Sequence, residues 1–532
     1  TQTIPHLVRY PTHVDFLVDG KPTLLFGGEI RNSSASTRSF LDTLWKPLRS
    51  LSLNFVLVPF SWRQFEPDEG TFDESLLSVI IQSAQKEGHR IAVLWLATWK
   101  NGYSGYAPTW MWKNLERFPL MSAQAFSPFG SETLEADQRA FTQLMKSIRA
   151  LDPNGQTVVM VQVENEMGLL GDTRDRSPLA QQAFESPVPN TLTDSLEAHL
   201  AELKPAIRDA WTSCGCPRGL TWAQTFGRGD LCDEVFMAWH MATFTNAVAQ
   251  AGKAIHPLPM FVNAWTIDPQ NPTPGVHPSG GPVHSMLDIW MAGAPSIDLY
   301  AEDNYRLDFR DECRHYQHRG NPLFIPEAAG WWGGDHPQSA AAKAFYSFGE
   351  GALGFAPFGI DNQYYQEGLL VEAYKVLRQL EPLLLNARTL NRCRGFFRDK
   401  QQISETIQLG DYEITIHYAL ESNAQQMFES GLETQEPFAA FGLVIQESEN
   451  SFVIAGCGFQ MDFKLAEASD CSRLINLGVE EGFYDNGKWV VNRVMNGDEV
   501  PDQGTGGVKL PPSAYPVIGE PSIAIQRISF LR

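Results

Sequence analysis

The chain has 532 residues, of which 43% are hydrophobic and 19% are charged, a composition typical of a folded protein with more than one domain. Its formal net charge of -21 disfavours nucleic acid as a partner and is compatible with an uncharged substrate. No apolar run reaches the roughly 18 residues that a membrane-spanning helix needs, so the sequence predicts no membrane partner.

From about residue 20 to residue 385, apolar runs alternate with amphipathic segments. Eight runs predict strands, at residues 23–29, 54–60, 90–96, 157–162, 259–263, 297–301, 322–326 and 354–358. Near-continuous apolar strands between amphipathic helices are typical of a parallel sheet that is covered on both faces. Eight of them predict an α/β fold of the closed (β/α)8 type, a TIM barrel. A doubly wound sheet is the alternative, but no Gly-rich phosphate loop follows any strand.

Two parts of the chain differ from this repeat. The stretch between the fourth and fifth strands is longer than one barrel unit and predicts helices at about residues 196–210 and 232–250. Beyond about residue 390, short alternating strands with Asn-Gly turns predict an all-β, sandwich-like domain. We therefore predict a catalytic barrel with a short N-terminal hairpin at 1–385 and a β-rich domain at 386–532.

Two glutamates end apolar strands. The run 157–162 leads directly to Asn165 and Glu166, and a later run ends at Glu327. Burial raises the pKa of a carboxyl group, as a general acid at neutral pH requires. Glycoside hydrolysis needs such a donor and a carboxylate on the opposite face of the sugar, so we assign Glu166 as the donor and Glu327 as the nucleophile. Asn165 would bind the sugar 2-hydroxyl. Helix capping is the alternative role, and Glu164, on the same face of an extended strand, is the rival acid.

Several motifs then indicate a family. Residues 162–168 resemble the acid/base motif of glycoside hydrolase family 35, β-galactosidases of the large Glu-Glu barrel clan. Residues 60–73 are similar to its Trp, Glu-Pro, Gly and Phe-Asp signature, and residues 27–31 resemble its Gly-Glu-Ile-His opening, with Arg in place of His. Residues 99–102 and 106–110 look like the shorter microbial branch, which carries a C-terminal β domain of unknown function.

The resemblance covers nearly the whole chain and implies retaining hydrolysis of terminal, non-reducing β-D-galactosyl residues by double displacement, with xyloglucan-type or other plant oligosaccharides as candidate substrates. Glu166 would be the acid/base and Glu327 the nucleophile, their carboxyl groups roughly 5–5.5 Å apart. No metal or organic cofactor is expected. Two alternatives stay open: another retaining exo-β-glycosidase, such as a β-glucosidase or exo-β-glucosaminidase, and a catalytically inactive carbohydrate-binding protein.

Further substrate-binding candidates follow the barrel strands, where the loops of this fold build the site. Members of the clan often place a Tyr hydroxyl against the nucleophile, and Tyr305 matches that position. The other candidates are Glu29, Trp99, Lys100, Asn101, Asn263, Trp265, Trp331 and Trp332. Packing or ion pairing is the alternative role for each of them.

The number and spacing of the cysteines give an indication of the cellular compartment. Seven are present, too few and of odd number for a disulfide framework. Cys214, Cys216 and Cys232 are close in sequence, but no His lies at ligand spacing, so we predict plain thiols and no metal site. These features favour a cytoplasmic over a periplasmic or secreted location, and they leave a homo-oligomer open.

Overall fold

The computed structural model describes residues 4–330, 335–398, 403–418, 439–466, 474–501, 506–510 and 518–532. Within these ranges there is no helix with both the length and the apolar character needed to cross a membrane. The chain begins with a small antiparallel sheet of β1 (His6–Arg9), β2 (Val14–Val18) and β3 (Lys21–Pro22). Phe16 and Val18 of this sheet pack into the inner core of the barrel that follows.

Parallel strands form that barrel. They are β4 (Leu25–Glu29), β5 (Phe55–Ser61), β6 (Arg90–Lys100), β9 (Val158–Asn165), β10 (Met260–Trp265), β11 (Leu299–Asn304), β12 (Phe324–Ile325), β13 (Glu327–Ala328) and β14 (Gly354–Phe355). A short hairpin of β7 (Leu120–Ser122) and β8 (Ala125–Phe126) lies outside it. Each of the eight predicted strands is present. They could be predicted because strands that are buried on both faces are apolar throughout.

Pro326 explains why nine strands make a barrel of eight. Strands β12 and β13 stand at the two ends of the strand order, yet only Pro326 separates them in sequence. Proline has no backbone N–H and interrupts a strand ladder. The half before it pairs with β14 and the half after it pairs with β11. The seventh barrel strand therefore closes the sheet, which confirms the predicted (β/α)8 architecture.

Sixteen α-helices accompany the strands in the described ranges. They are α1 (Arg38–Leu41), α2 (Trp45–Ser50), α3 (Trp62–Phe65), α4 (Ser75–Glu87), α5 (Thr109–Trp112), α6 (Ser131–Leu151), α7 (Pro178–Phe184), α8 (Asn190–Ala198), α9 (Pro205–Ser213), α10 (Trp222–Phe226), α11 (Asp230–Lys253), α12 (Leu287–Gly293), α13 (Phe309–Tyr316), α14 (Ala340–Gly349), α15 (Tyr364–Glu367) and α16 (Leu370–Thr389). The single helix predicted at 196–210 was wrong. Pro205 begins α9, and Lys204 before it is extended, because a residue preceding proline disfavours the helical conformation.

The C-terminal part is a sandwich of two antiparallel sheets, as predicted. The sheets contain β15 (Cys393–Phe397), β16 (Ser404–Leu409), β17 (Tyr412–His417), β18 (Phe441–Ser448), β19 (Ser451–Cys457), β20 (Phe459–Leu465), β21 (Ile475–Asp485), β22 (Lys488–Met495), β23 (Val508–Leu510) and β24 (Ala524–Leu531). One sheet has the order β15-β18-β19-β24-β21-β22 and the other β16-β17-β20-β23. Apolar side chains from both fill a common core between them.

The barrel and the sandwich meet across α14, whose ten residues are all buried. Phe348 contacts Phe26 of the barrel with ring centroids 4.6 Å apart, and Phe345 contacts Phe441 of β18 at 5.1 Å. A Cβ on Gly395 would lie 2.5 Å from the Tyr346 carbonyl oxygen, so only glycine permits this approach of β15. One hydrophobic cluster thus runs from the barrel into the first sheet of the sandwich.

Candidate active site

The carboxyl ends of the barrel strands turn sharply. Among the described residues, four non-glycine residues there have positive φ, namely Asn101 (55°), Glu164 (61°), Glu166 (43°) and Ala329 (56°). Such conformations cost on the order of 1–3 kcal/mol each and occur where the surrounding contacts impose them. The backbone N–H groups of Asn101 and Gly102 donate to the carbonyls of Asn165 and Glu166, at 3.3 and 3.0 Å, and hold β6 against β9 at this turn.

Glu166 lies at the mouth of the barrel, 5% exposed. Trp265 Nε1 donates to Glu166 Oε2 at 2.6 Å, and the backbone N–H of Glu166 donates to Asn263 Oδ1 at 3.0 Å. Asn263 Nδ2 also donates to Asp303 Oδ2 at 2.7 Å. Strands β9, β10 and β11 therefore fix Glu166 through one polar network.

Glu327 lies close to Glu166, with one carboxyl oxygen of each within 4.8 Å of the other. Its Oε2 accepts a hydrogen bond of 2.8 Å from the Tyr305 hydroxyl. Burial raises the pKa of Glu327 to about 7, and the negative charge of Glu166 acts in the same direction. The Lys100 ammonium and the hydrogen bonds from Tyr305 and Asn165 act to lower this pKa. Glu327 is thus poised between its neutral and charged forms near neutral pH.

Lys100 interacts with four buried carboxyl groups, which we call the acid cluster. The acid cluster consists of Glu29, Glu166, Asp303 and Glu327. Burial alone would lower the pKa of Lys100, but these charges outweigh it and raise the pKa. Lys100 Nζ also donates to Asn165 Oδ1 at 2.9 Å. One oxygen each from Glu166, Asp303 and Glu327 lies within 4.8 Å of the others, a spacing that could hold a cation, but the Lys100 ammonium already supplies positive charge here.

Asp303 belongs to this site and was not among the predicted residues. Burial and then the charge of Glu327 raise its pKa well above the usual range, and it shares a hydrogen bond with Glu166. The alternation of β11 holds a signal for it, since Ala301 faces the inner core and Asp303 is two residues further along the same face. Because the neighbouring residues Glu302 and Asn304 are polar as well, Asp303 does not stand out in the sequence.

Glu164, the rival acid, has its contacts outside the acid cluster, and the expectation that it shares a face with Glu166 was wrong. Its positive φ breaks the extended geometry on which that expectation depended. Glu164 Oε2 accepts the backbone N–H of Trp99 at 2.9 Å, and its carboxyl group shares a hydrogen bond with Asp137 of α6. Burial and the Asp137 charge raise the pKa of Glu164. This carboxyl pair lies between the barrel wall and α6.

Of the four other predicted residues, one has a packing role, one supports the site through its backbone, and two lie outside the described residues. The indole of Trp99 is fully buried, packs on Phe244 at 4.7 Å and donates to the Phe126 carbonyl, so it has a packing role in place of the predicted substrate contact. Trp331 and Trp332 lie outside the described residues. Asn101 lies at the rim, where its backbone supports Asn165.

Two families match the chain. Residues 15–199 match Glycosyl hydrolases family 35, and residues 370–505 match a domain of unknown function, DUF5597. The first match covers β4, β5, β6 and β9, including Glu29, Lys100 and Glu166. The second begins with α16 and covers most of the sandwich.

Individual proteins show similarity over parts of their length. A beta-galactosidase of Xanthomonas manihotis is 30% identical over 165 residues, which are 30% of this chain and 26% of that protein. The match thus spans about a quarter of that relative. Among solved structures, a beta-galactosidase from Rahnella sp. R3 aligns at 17% identity with a TM-score of 0.46, covering 68% of this chain and 57% of the other. One from Bacillus circulans sp. alkalophilus aligns at 15% identity with a TM-score of 0.45, with the same coverages of 68% and 57%.

The motifs of the sequence and the family match agree. Residues 15–199 match the model of Glycosyl hydrolases family 35, which the resemblance indicated, and residues 370–505 match a C-terminal domain of unknown function.

Proposed function

We propose that the protein is a retaining, exo-acting β-galactosidase with Glu166 as its acid/base and Glu327 as its nucleophile. The observation that supports this most is the closeness of the two carboxylates at the barrel mouth, with oxygens within 4.8 Å. Retaining glycosidases hold their carboxyl groups about 5–5.5 Å apart, whereas inverting enzymes leave room for a water between them. The family match supports the same reaction class.

The mechanism follows from the contacts. Glu327 attacks the anomeric carbon while Glu166 transfers its proton to the leaving oxygen, which gives a covalent glycosyl-enzyme and a free alcohol. Water then attacks the same carbon, Glu166 takes a proton from it, and Glu327 leaves as a carboxylate. Tyr305 and Lys100 stabilise the charge on Glu327 before and after the covalent state. The amide of Asn165, whose oxygen accepts a hydrogen bond from Lys100, would bind the sugar 2-hydroxyl.

The substrate assignment is tested with purified protein and nitrophenyl β-glycosides. We expect hydrolysis of the β-galactoside with a higher kcat/KM than that of the β-glucoside or β-glucosaminide, and NMR of the first-formed sugar should show the β-anomer. A first-formed α-anomer would overturn retention. Sugar binding by calorimetry without any hydrolysis would favour the inactive binding protein. Plant oligosaccharides of the xyloglucan type are the natural substrates to test next.

The charge around Glu327 predicts a pH dependence. Only the carboxylate form attacks, and its pKa is raised to about 7, so kcat/KM should fall as pH drops through this region. We expect Lys100→Met to move this acid limb to higher pH, because the ammonium lowers the pKa of Glu327. The apparent value belongs to the acid cluster as a whole, since its members titrate together.

Lys100→Arg, which keeps the charge, is the control, and its acid limb should stay close to that of the wild type. A wild-type limb near the ordinary glutamate value of about 4.3 would contradict this prediction.

The location and assembly stay proposals. All six cysteines in the described ranges are free, in keeping with the proposed cytoplasmic location. A homo-oligomer is likewise a proposal, to be tested by the mass of the protein in solution.

A further inference from the structure

Glu29 is a carboxylate at the barrel mouth with unused hydrogen-bonding capacity. It is fully buried at the end of β4, and neither of its oxygens has a hydrogen-bond partner among the described residues. Buried polar groups nearly always have partners, and an unsatisfied one is destabilising, more so if it is charged. An unpaired carboxylate in this position therefore requires a reason.

The surroundings of Glu29 place it in the candidate active site. Burial raises its pKa well above the ordinary value, the charges of Glu327 and Glu166 raise it further, and Lys100 lowers it. Its backbone is fixed on both sides, because the N–H donates to the Pro357 carbonyl and its carbonyl accepts from Ile360. A Cβ on Gly28 would lie 2.4 Å from Ile360, so glycine there lets β4 sit tightly against this loop.

Glu302 shows what distinguishes Glu29. Glu302 also lies near the end of a barrel strand, is fully buried and has a pKa raised by burial. Its neighbours, however, are Glu312 and Cys313 of α13, on the outer side of the barrel. Its charge is not among the largest influences on the pKa of Glu327 or Lys100. Glu302 is therefore a matched carboxylate outside the site.

The chemistry of a pyranoside limits what Glu29 can bind. The anomeric carbon faces Glu166 and Glu327, and the 2-hydroxyl lies beside it, next to Asn165. The hydroxyls at positions 3 and 4 are then the one adjacent pair left. The ionised form of Glu29, which the Lys100 ammonium favours against the effect of burial, can accept a hydrogen bond on each oxygen. Hydrogen bonds to a charged acceptor are shorter and stronger than neutral ones.

We infer that Glu29 is the specificity residue of this site and accepts hydrogen bonds from the 3- and 4-hydroxyls of the terminal sugar, with Lys100 as its counter-ion. The inference rests on the proposed glycosidase function and adds a requirement to it. Substrates need a free 3,4-diol on the glycosyl unit, so a sugar that is extended at either position is excluded. Exo action then follows, because Glu29 binds both hydroxyls and leaves no room for a further sugar at either position.

The test couples an enzyme residue to a substrate hydroxyl. kcat/KM is measured for the aryl β-glycoside that the wild type hydrolyses best and for its 3-deoxy, 4-deoxy and 6-deoxy analogues, with wild type, Glu29→Gln and Glu302→Gln. For the wild type and Glu302→Gln, we expect kcat/KM to be at least about 100-fold lower with the 3-deoxy or 4-deoxy sugar than with the parent sugar. On the parent sugar, the kcat/KM of Glu29→Gln should be lower than that of the wild type by a similar factor. On the 3-deoxy and 4-deoxy analogues, the kcat/KM of this variant should fall by less than about a further tenfold.

The outcomes separate the inference from the proposed function. If the Glu29→Gln loss multiplies with the loss from every deoxy sugar, the residue does not contact those hydroxyls and the inference is overturned while the glycosidase function stands. If the wild type hydrolyses none of the aryl glycosides, both are overturned. The loss on the 6-deoxy sugar should multiply with the Glu29→Gln loss, because position 6 is outside the predicted contact.

Thermal unfolding tests whether Glu29→Gln is folded. A carboxyl group whose pKa is raised by folding binds its proton more tightly in the folded state, so stability falls as pH rises above the pKa of the unfolded chain. Glutamine has no such dependence. We expect Glu29→Gln to melt above the wild type, with a gap that grows as pH rises above the ordinary glutamate pKa of about 4.3.

Discussion

Replacement of Glu327 by glycine should abolish turnover of an aryl β-galactoside, with a loss in kcat of at least about 10⁴-fold. Glu327 is the group that we expect to bond to the anomeric carbon, so no glycosyl-enzyme can form without it. Folding should survive, because the charge of Glu327 raises the pKa of Glu29 and Asp303, and its removal relieves that repulsion. Initial rates with a nitrophenyl substrate and a melting curve measure the two effects.

Azide provides the control for this variant. Glycine at 327 leaves space on the face where the carboxylate stood, and azide entering there should restore turnover and give the α-galactosyl azide. Activity of Glu327→Gly comparable to that of the wild type would contradict the assignment. Rescue that yields the β-azide would show that Glu327 is not the nucleophile.

Glu166→Gln should have the second largest effect, and its size should depend on the leaving group. General acid catalysis contributes roughly 10²–10⁴-fold when the departing oxygen needs a proton, and little when it leaves readily as a stable anion. We therefore expect a large loss in kcat/KM with an alkyl β-galactoside and a small one with a dinitrophenyl β-galactoside. Azide should here accelerate breakdown of the glycosyl-enzyme and give the β-azide.

Glu164→Gln is the matched control for Glu166→Gln. Both residues are buried glutamates at the end of β9 with positive φ, but Glu164 bonds the backbone of Trp99 and contacts Asp137. Its kcat/KM should stay within about tenfold of the wild type for both leaving groups. A leaving-group dependence for Glu164→Gln instead of Glu166→Gln would reverse the assignment of the acid.

The strands of the barrel could be predicted from the sequence because their burial on both faces makes them apolar runs. The same pattern marked the candidate catalytic residues, since Glu166 and Glu327 interrupt apolar strand ends and the structure brings them together. Their catalytic roles stay predictions. The geometry of the seventh strand, split at Pro326, was not foreseen, although a proline within a strand is a known signal for interruption.

The errors have a common physical origin in local backbone geometry. Alternation along a strand predicts a side chain's direction only while the backbone stays extended, and the positive φ of Glu164 and Glu166 ends that condition. Trp99 was a plausible hydrogen-bonding partner for a sugar hydroxyl by its position, but its indole is directed into the core beside Phe244. Asp303 was missed because its neighbours Glu302 and Asn304 are polar as well, so the sequence offered no contrast.

The fully buried α14 has a consequence for how this protein can be divided. With barrel residues on one side and β18 on the other, the helix has no face that tolerates water, and a chain shortened to its barrel would expose Phe345 and its neighbours. The C-terminal sandwich therefore completes the packing around α14 and is not an independent appendage. Grafting either half onto another protein would require a new partner for this helix.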